Sequence, residues 1–354
     1  MMNVNRLPAR TWEWLRVNET KLDEVPAVSS FEYREEKPDE IRHGSGIFAD
    51  YRTGLGDEFN EAVKSTGLPV NAYSVDANVT ASAPLYQDFD IPSGAKAGSL
   101  INLEVGPNAS CTVIQFISSA GEEGGCSFLL QNKYHIAENG NLTLIQVQNL
   151  SCDSVLLNDC GGVCEDGANF HRIQIVLGGG TTHMGEFCSL DGEKSTYKCD
   201  LGYRIEGRHV LDMNYVADHN GRLSESDISV LGVMSDKSEK IFRGTIDFHK
   251  GCAGARGAEL EEVLLLSDDI VNKTVPLILC DEEDVEGSHG ATIGRLDENL
   301  LFYMKSRGIG EDEIYAMMAH ARIDAVASLI QDMNVRDRVY EMIDGPVRRD
   351  CLKQ

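Results

Sequence analysis

The sequence lacks most of the short motifs that announce a catalytic site. It has no Gly-x-x-x-x-Gly-Lys-Ser/Thr loop, so no Walker-type phosphate cradle. The glycine-rich stretch Gly178-Gly-Gly-Thr-Thr-His183 has neither that ending nor Gly-x-Gly-x-x-Gly, and a tight turn between strands explains it. No Gly-x-Ser-x-Gly nucleophile elbow occurs. No Cys-x-x-Cys occurs among the ten cysteines, and the nearest pair, Cys160 and Cys164, has no second pair at zinc-finger distance. Buried free thiols are the plainer reading, and a disulfide framework is not expected in a chain of this size and type. Positive charge is also short. The 32 Lys and Arg face 57 Asp and Glu, giving a net charge of −25. That surface repels phosphate backbones and anionic lipid, which argues against nucleic-acid or membrane partners. No apolar run approaches the roughly 18 residues of a spanning helix. The opening Met1-Met-Asn-Val-Asn-Arg-Leu-Pro8 has no apolar signal core, so a cytoplasmic location is the expectation.

What is present is a folded chain of 354 residues, 42% hydrophobic, large enough for two or three substructures. Residues 1–95 read as mixed and loosely structured. Thr11-Trp-Glu-Trp-Leu15 suggests a short helix capped by Thr11, with Trp12 and Trp14 on different faces. Glu35-Glu-Lys-Pro-Asp-Glu40 reads as a solvated loop, and Phe59-Asn-Glu-Ala-Val-Lys64 as helical.

Residues 96–290 change character. Segments such as Cys111-Thr-Val-Ile-Gln-Phe-Ile117, Asn141-Leu-Thr-Leu-Ile-Gln-Val147 and Lys240-Ile-Phe-Arg-Gly-Thr-Ile-Asp-Phe248 alternate apolar with polar. That period of two marks a strand with one buried face. Their starts recur roughly every 12 to 16 residues. Asn-Gly hairpin signals are confined to Asn139-Gly140 and Asn220-Gly221. An antiparallel sandwich and a solenoid of stacked strands both fit, and about thirteen such segments without a helical interval favour the solenoid.

Residues 291–354 read as helical. Asp297 is the cap of a first helix that Gly308 stops. A second starts near Gly310, with Ile314, Met317, Met318, Ala321, Ala325, Val326 and Leu329 at helical spacing. Packing onto the β region is the expected use of the Met317 and Met318 stripe, with a partner-binding face as the alternative. A third helix spans 335–343 and ends at Gly345-Pro346.

The join between strands and helices holds a lone histidine, His289, nine residues after Cys280 with an acidic run between them. Histidine, cysteine and carboxylate are ligand types that iron accepts. If one strand ends near Cys280 and the next begins near His289, the two could meet across a turn. A hydrogen-bonded junction histidine is the plainer alternative.

Five ordered segments resemble a known family: Phe242-Arg-Gly-Thr-Ile246, Leu264-Leu-Leu-Ser-Asp268, Pro276-Leu-Ile-Leu279, Asp284-Val-Glu-Gly-Ser-His-Gly-Ala-Thr-Ile-Gly294 and Leu301-Phe-Tyr-Met-Lys-Ser-Arg-Gly-Ile309. Together they look like the signature of the SufB/SufD family, scaffolds of SUF iron–sulfur cluster assembly. The likeness is specific over about 200–330 and weak before 95. It implies a mainly β fold: a right-handed parallel β-helix core with an N-terminal mixed segment and a C-terminal helical domain. Within the family the chain looks more like SufD. Glu261 stands where SufB-type members carry a strand cysteine, and Gly290 where they carry Glu after the junction histidine. SufD-type members often show Cys-Ser-His there; this chain has Gly287-Ser288-His289. The resemblance therefore implies His289 as a ligand for iron or a transient iron–sulfur cluster. Cys280 is a candidate substitute inferred from this chain rather than from the family pattern.

The resemblance further implies a non-catalytic scaffold. It would pair through its β-helix end with a SufB-type chain, or with itself, share any cluster with that partner, and recruit a SufC-type ATPase. The ATPase-facing residues would be Leu301, Phe302, Tyr303, Met304, Arg307 and Ile314, and the missing Walker loop fits hydrolysis on the partner. The alternatives are a self-sufficient homodimeric scaffold and, less in keeping with so few aromatics for sugar stacking, a carbohydrate-active β-helix enzyme.

Overall fold

A computed structural model describes residues 1–344 except positions 12, 24, 26, 27, 47 and 121–123. The expected Trp12 face and the Gly345-Pro346 helix stop lie outside the described residues.

The core is a parallel β-solenoid of about eight turns. Successive strands alternate between two facing sheets, which hereafter are sheet I and sheet II. Sheet I contains Lys96–Val105, Ser127–Ile136, Val155–Cys164, Thr181–Leu190, Val210–His219, Glu239–Phe248 and Val271–Cys280. Sheet II contains Ser110–Ala120, Asn141–Asn149, Asn169–Val176, Thr196–Ile205, Glu225–Met234, Arg256–Leu265 and Glu286–Gly294. Strands of one sheet begin about 29 residues apart, as Val210 and Glu239 do, so each coil holds two strands. Asn139-Gly140 and Asn220-Gly221 turn the chain from one sheet to the other instead of closing hairpins.

Alternation along each strand sends every second side chain inward, and register stacks like positions from coil to coil. Gln87, Gln115, Gln146 and Gln174 form one such column, linked where Gln115 and Gln174 donate from Nε2 to Gln87 and Gln146 at 2.8 and 2.9 Å. Apolar columns fill most of the rest. Cys160 and Cys164 both point into this interior. Cys160 contacts Arg172 at 3.7 Å and Cys164 contacts Cys188 at 3.9 Å, so the two do not share a site. Cys111, Cys126, Cys160, Cys164, Cys188, Cys199 and Cys252 are buried free thiols, and Cys280 is an exposed one.

Each sheet has its outer face covered by a different part of the chain. The N-terminal segment lies across sheet I and is not loosely structured. Helix α1 (Asp57–Ser65) seats Phe59 and Val63 against Leu129 and Leu157. Outward polar side chains of sheet I capture the segment's backbone. Arg243 Nε donates to Val17 O at 2.6 Å, Asn214 Nδ2 donates to Gly54 O at 2.8 Å, and Asp159 Oδ1 accepts from Leu55 N at 2.9 Å. Arg243 is fully buried and pairs with Asp212, which His183 also meets at 2.9 Å. Two expectations for this segment change. Glu35 and Glu36, placed in a solvated loop over Glu35–Glu40, belong to a strand, Arg34–Glu36, paired antiparallel with Leu85–Pro92. The turn at 13–15 is a single 3-10 turn, and Thr11 N and Oγ1 both donate to Asn18 Oδ1. Partners farther along the chain, Asn18 for the turn and Leu85–Pro92 for the strand, decided both, which local composition does not report.

Sheet II is covered by helices α3 (Glu311–Ala327) and α4 (Met333–Asp344), which follow α2 (Glu298–Ser306). Ile323, Val326, Ala327, Ile330, Val335 and Val339 pack onto Ile114, Phe116, Ile145 and Ile175. Each fully buried aliphatic there contributes about 1.5–3 kcal/mol. Arg338 bonds Asp88 at 2.7 Å and stacks 3.7 Å over Phe116, and Tyr86 bonds Asp332. The buried face of α3 is Ile314, Ala319, Ile323, Val326 and Ala327. Ala321 and Ala325 are exposed, Met317 points outward, and Met318 is half-buried against Val233 and Leu264. Apolar residues on nearly every side of this helix gave the spacing two competing faces. Among the described residues no helix is long and apolar enough to cross a membrane, which says nothing of strands.

Candidate functional site at the open end of the solenoid

Among the described residues, Val271–Cys280 and Glu286–Gly294 are the last strands of their sheets, each paired on one side only. Register identifies their inward rows. Asn272, Thr274, Pro276, Ile278 and Cys280 follow Lys240, Phe242, Gly244, Ile246 and Phe248. Gly287, His289, Ala291 and Ile293 follow Gly257, Glu259, Glu261 and Val263. Cys280 and His289 thus both lie on the inner row of the final coil, facing an open mouth.

The mouth does not gather them into one ligand set. Cys280 ends its strand, and its thiol donates to Glu282 O at 3.0 Å. His289 lies in the column of Glu259, is exposed, and makes no hydrogen bond or ion pair with a described residue. The three-member cluster of metal-competent side chains among the described residues lies elsewhere. Gly287 has a packing reason: a Cβ there would sit 3.1 to 3.3 Å from the Phe248 and Ile278 side chains.

Behind His289 lies a polar floor. Glu259 and Glu261 alternate inward from the strand Arg256–Leu265 and are both buried. Lys240, also fully buried, pairs with Glu261 and donates to Thr274 Oγ1 at 3.1 Å. Thr274 Oγ1 in turn donates to Glu261 at 2.6 Å. Desolvation pulls Lys240 below its usual value, with Glu261 opposing. Glu259 has an oxygen with no hydrogen-bond partner among the described residues. Burial, then the charge of Glu261, push the Glu259 carboxyl up to about 8, with Lys240 pulling it down. It therefore holds a proton at neutral pH. Gly244 makes its space, because a Cβ there would run into the Glu259 carboxyl group.

Chemically this is an imidazole at the rim above a protonated buried carboxyl, with a thiol on the same inner row. Sequence reading named His289, Cys280 and the position of Glu261, but not Glu259 or Lys240. The available signal was the alternation Glu259-Leu-Glu261 within a strand, which places both carboxyl groups on one inward face.

The C-terminal residues divide between surface and anchor. Asp297 caps α2 by accepting from Asn299 N and Leu300 N at 3.0 and 2.9 Å, and α2 buries no residue. Phe302, Tyr303 and Arg307 are exposed, and the Arg307 guanidinium lies 5.1 Å from the Tyr303 ring centre. Leu301 and Met304 are half-buried. Ile314 is fully buried and holds α3 down.

Comparison with known proteins places this architecture. The sequence profile described as "SUF system FeS cluster assembly, SufBD core domain" matches residues 94–322, more than half of the chain. The iron–sulfur cluster assembly protein SufD of Bacillus subtilis (strain 168) is 25% identical over 244 residues, 68% of this chain and 55% of that protein. SufD of Escherichia coli (strain K12) is 26% identical over 247 residues, 68% of this chain and 57% of that protein. An iron–sulfur cluster assembly SufBD family protein of Mycobacterium leprae is 28% identical over 164 residues, 46% of this chain and 19% of that protein. The chain thus spans little more than half the length of the two SufD relatives it matches.

Proposed function

The chain belongs to the SufBD family of the SUF iron–sulfur cluster assembly system and is most like SufD; from this premise we propose that it is a scaffold subunit that pairs through the open end of its solenoid. The observation that carries the reading is the unpaired final coil. Its two strands present free backbone donors and acceptors, and the mouth between them holds His289 over Glu259.

Backbone parity identifies the stronger of the two edges. Val271 N donates to Ser238 O, so odd-numbered amides of that strand face the sheet and even-numbered ones face outward. Pro276 removes one of the outward donors, a common way to blunt an edge. Glu286 N donates to Ala255 O, so the amides of 287, 289, 291 and 293 face outward. No proline interrupts that strand. The partner strand adds to Glu286–Gly294, which brings its side chains beside His289. A cluster or iron under assembly is cargo shared across this junction. His289 contributes an imidazole, Glu259 releases its proton as positive charge arrives, and sulfur ligands come mainly from the partner. Cys280 is the candidate thiolate from this chain.

The exposed aromatic surface of α2, Phe302 and Tyr303 with Leu301, Met304 and Arg307 around them, is the proposed seat of a SufC-type ATPase. Ile314 supports it from within. The chain acts in the cytoplasm as a non-catalytic member of the complex.

The test is anaerobic co-expression of the tagged chain with a SufB-type chain and a SufC-type ATPase. Stoichiometric co-purification of both, with iron content lowered by His289→Ala, is expected. Recovery of neither partner contradicts the reading. A chain that forms its own dimer and retains a cluster unaided, lost on His289→Ala, establishes the self-sufficient scaffold instead.

A further inference from the structure

A second constellation lies on the outside of the solenoid, one coil back from the mouth. Asp218, in the strand Val210–His219, stands directly opposite Asp247, in the strand Glu239–Phe248. Both point outward, since their neighbours Ala217, Ile246 and Phe248 fill the interior. The turn after Phe248 brings His249 over the pair. Its Nε2 lies 2.8 Å from Asp218 Oδ1 and 3.6 Å from Asp247 Oδ2. All three ligand atoms fall within 4.8 Å of one another.

Charge compensation separates this group from the other histidine–carboxylate contacts. Asp212, beside His183, also pairs with Arg243. Asp200, beside His171, also pairs with Lys198 at 3.2 Å. His135 meets a single carboxylate, Glu165. Among the described residues, Asp218 and Asp247 have no lysine or arginine within ion-pair distance. Arg52 acts on Asp247 only from farther away, while its guanidinium covers the Phe187 ring. Asp281 adds negative charge beside both Asp247 and His249. Like charges placed in register repel, so two opposed aspartates with one imidazole leave a deficit of positive charge.

The carboxylate of Asp218 is also pre-oriented. Its Oδ2 accepts from Asn220 Nδ2 at 2.9 Å and from Ser189 Oγ at 3.3 Å. Oδ1 is thereby turned toward His249 and Asp247. Outer hydrogen bonds that fix a carboxylate in this way are a regular feature of metal ligands. Donor atoms about 2.0–2.2 Å from a tetrahedral ion stand roughly 3.3–3.6 Å apart. The two distances from His249 Nε2 bracket that span.

We propose that Asp218, Asp247 and His249 form a binding site for one divalent first-row cation of the zinc, manganese, iron(II) and cobalt class. One imidazole and two carboxylates hold the ion, and its remaining positions are open to water. The mixed nitrogen and oxygen donors suit these ions better than calcium, magnesium or copper(I). The site lies on the outer face of the solenoid rather than on the inner rows of the mouth, and stands independently of the role proposed there.

The test uses the full chain stripped by chelation, with zinc(II) alone followed by calorimetry and cobalt(II) alone followed by absorbance. One equivalent of zinc per chain is expected, with visible cobalt bands of a four- or five-coordinate ion. His249→Ala and Asp247→Asn should each weaken zinc binding at least tenfold, while His289→Ala and Cys280→Ser leave it unchanged. Circular dichroism of each metal-free variant checks the fold; should one of the two site variants misfold, the other supplies the comparison. Absence of a stoichiometric site overturns the proposal. So does zinc binding undiminished in the folded site variants, or binding lost in the mouth variants instead.

Discussion

The two ends of the solenoid are built in opposite ways. At the N-terminal end, Arg34–Glu36 and Ile41–His43 pair antiparallel with the first strands and close both sheets. Tyr33 packs on Phe89, ring centres 4.6 Å apart, and Phe31 on Phe128 at 5.6 Å. Leu85, Phe89 and Ile91 behind them are fully buried. These closing strands are each three residues long and charged, which leaves little for another chain to extend. At the other end no described residue closes the last coil. Inward residues that are buried one coil earlier become half-exposed, and Ile293 is 44% exposed. A solenoid must end somewhere, and a soluble one covers its terminal coils. One end covered and one left open is the asymmetry on which the proposed pairing rests.

The contrast can be broken most severely in the packing. Phe89→Ala at the closed end should cost about 3–5 kcal/mol by urea denaturation, through lost burial and the cavity left behind. Ile293→Ala at the mouth should cost well under 1 kcal/mol, because water already reaches that side chain. Equal losses at the two positions would mean the mouth is as well packed as the cap.

A somewhat smaller loss is expected in the floor of the mouth. Lys240→Met removes the one cation from two buried carboxyl groups and should cost about 3 kcal/mol, in line with a broken buried pair. Adding Glu261→Gln to that variant should recover part of the loss, because no uncompensated charge then remains. A double variant no better than the single one would show that the pair is not energetically coupled.

The smallest effect on the isolated chain, and the sharpest on assembly, is expected from Ala291→Pro. Its amide faces outward, so the substitution removes no bond of the existing ladder. Thermal stability should stay within about 1 °C of the parent, a change under about 1 kcal/mol for a chain of this size. Affinity for a SufB-type partner should fall at least tenfold. Retained affinity would locate the interface elsewhere.

Much of the fold was legible because period-two alternation survives in nearly every strand of the solenoid. The segment 111–117 and the segment 240–248 announce buried faces without reference to any neighbour. The N-terminal segment was not legible, because its order comes from Asp159, Asn214 and Arg243, which lie 100 residues or more along the chain from the backbone groups they hold. Helix α3 misled for another reason. Met317, Ala321 and Ala325 satisfy helical spacing as well as Ala319 and Ile323 do, and only the docked sheet chooses between the faces. In the mouth, His289 stood out through its position in the chain, whereas Glu259 gains its character from burial beside Glu261. That proximity arises from the strand's pleat and is visible only once the strand is placed.

Hydrogen–deuterium exchange of this chain, alone and in the presence of a SufB-type partner, tests the open end most directly. New protection concentrated in Glu286–Gly294, with a lesser change in Val271–Cys280 where Pro276 interrupts the edge, is the predicted result. Protection at Arg34–Glu36 and Ile41–His43, with the last coil unchanged, would contradict the account.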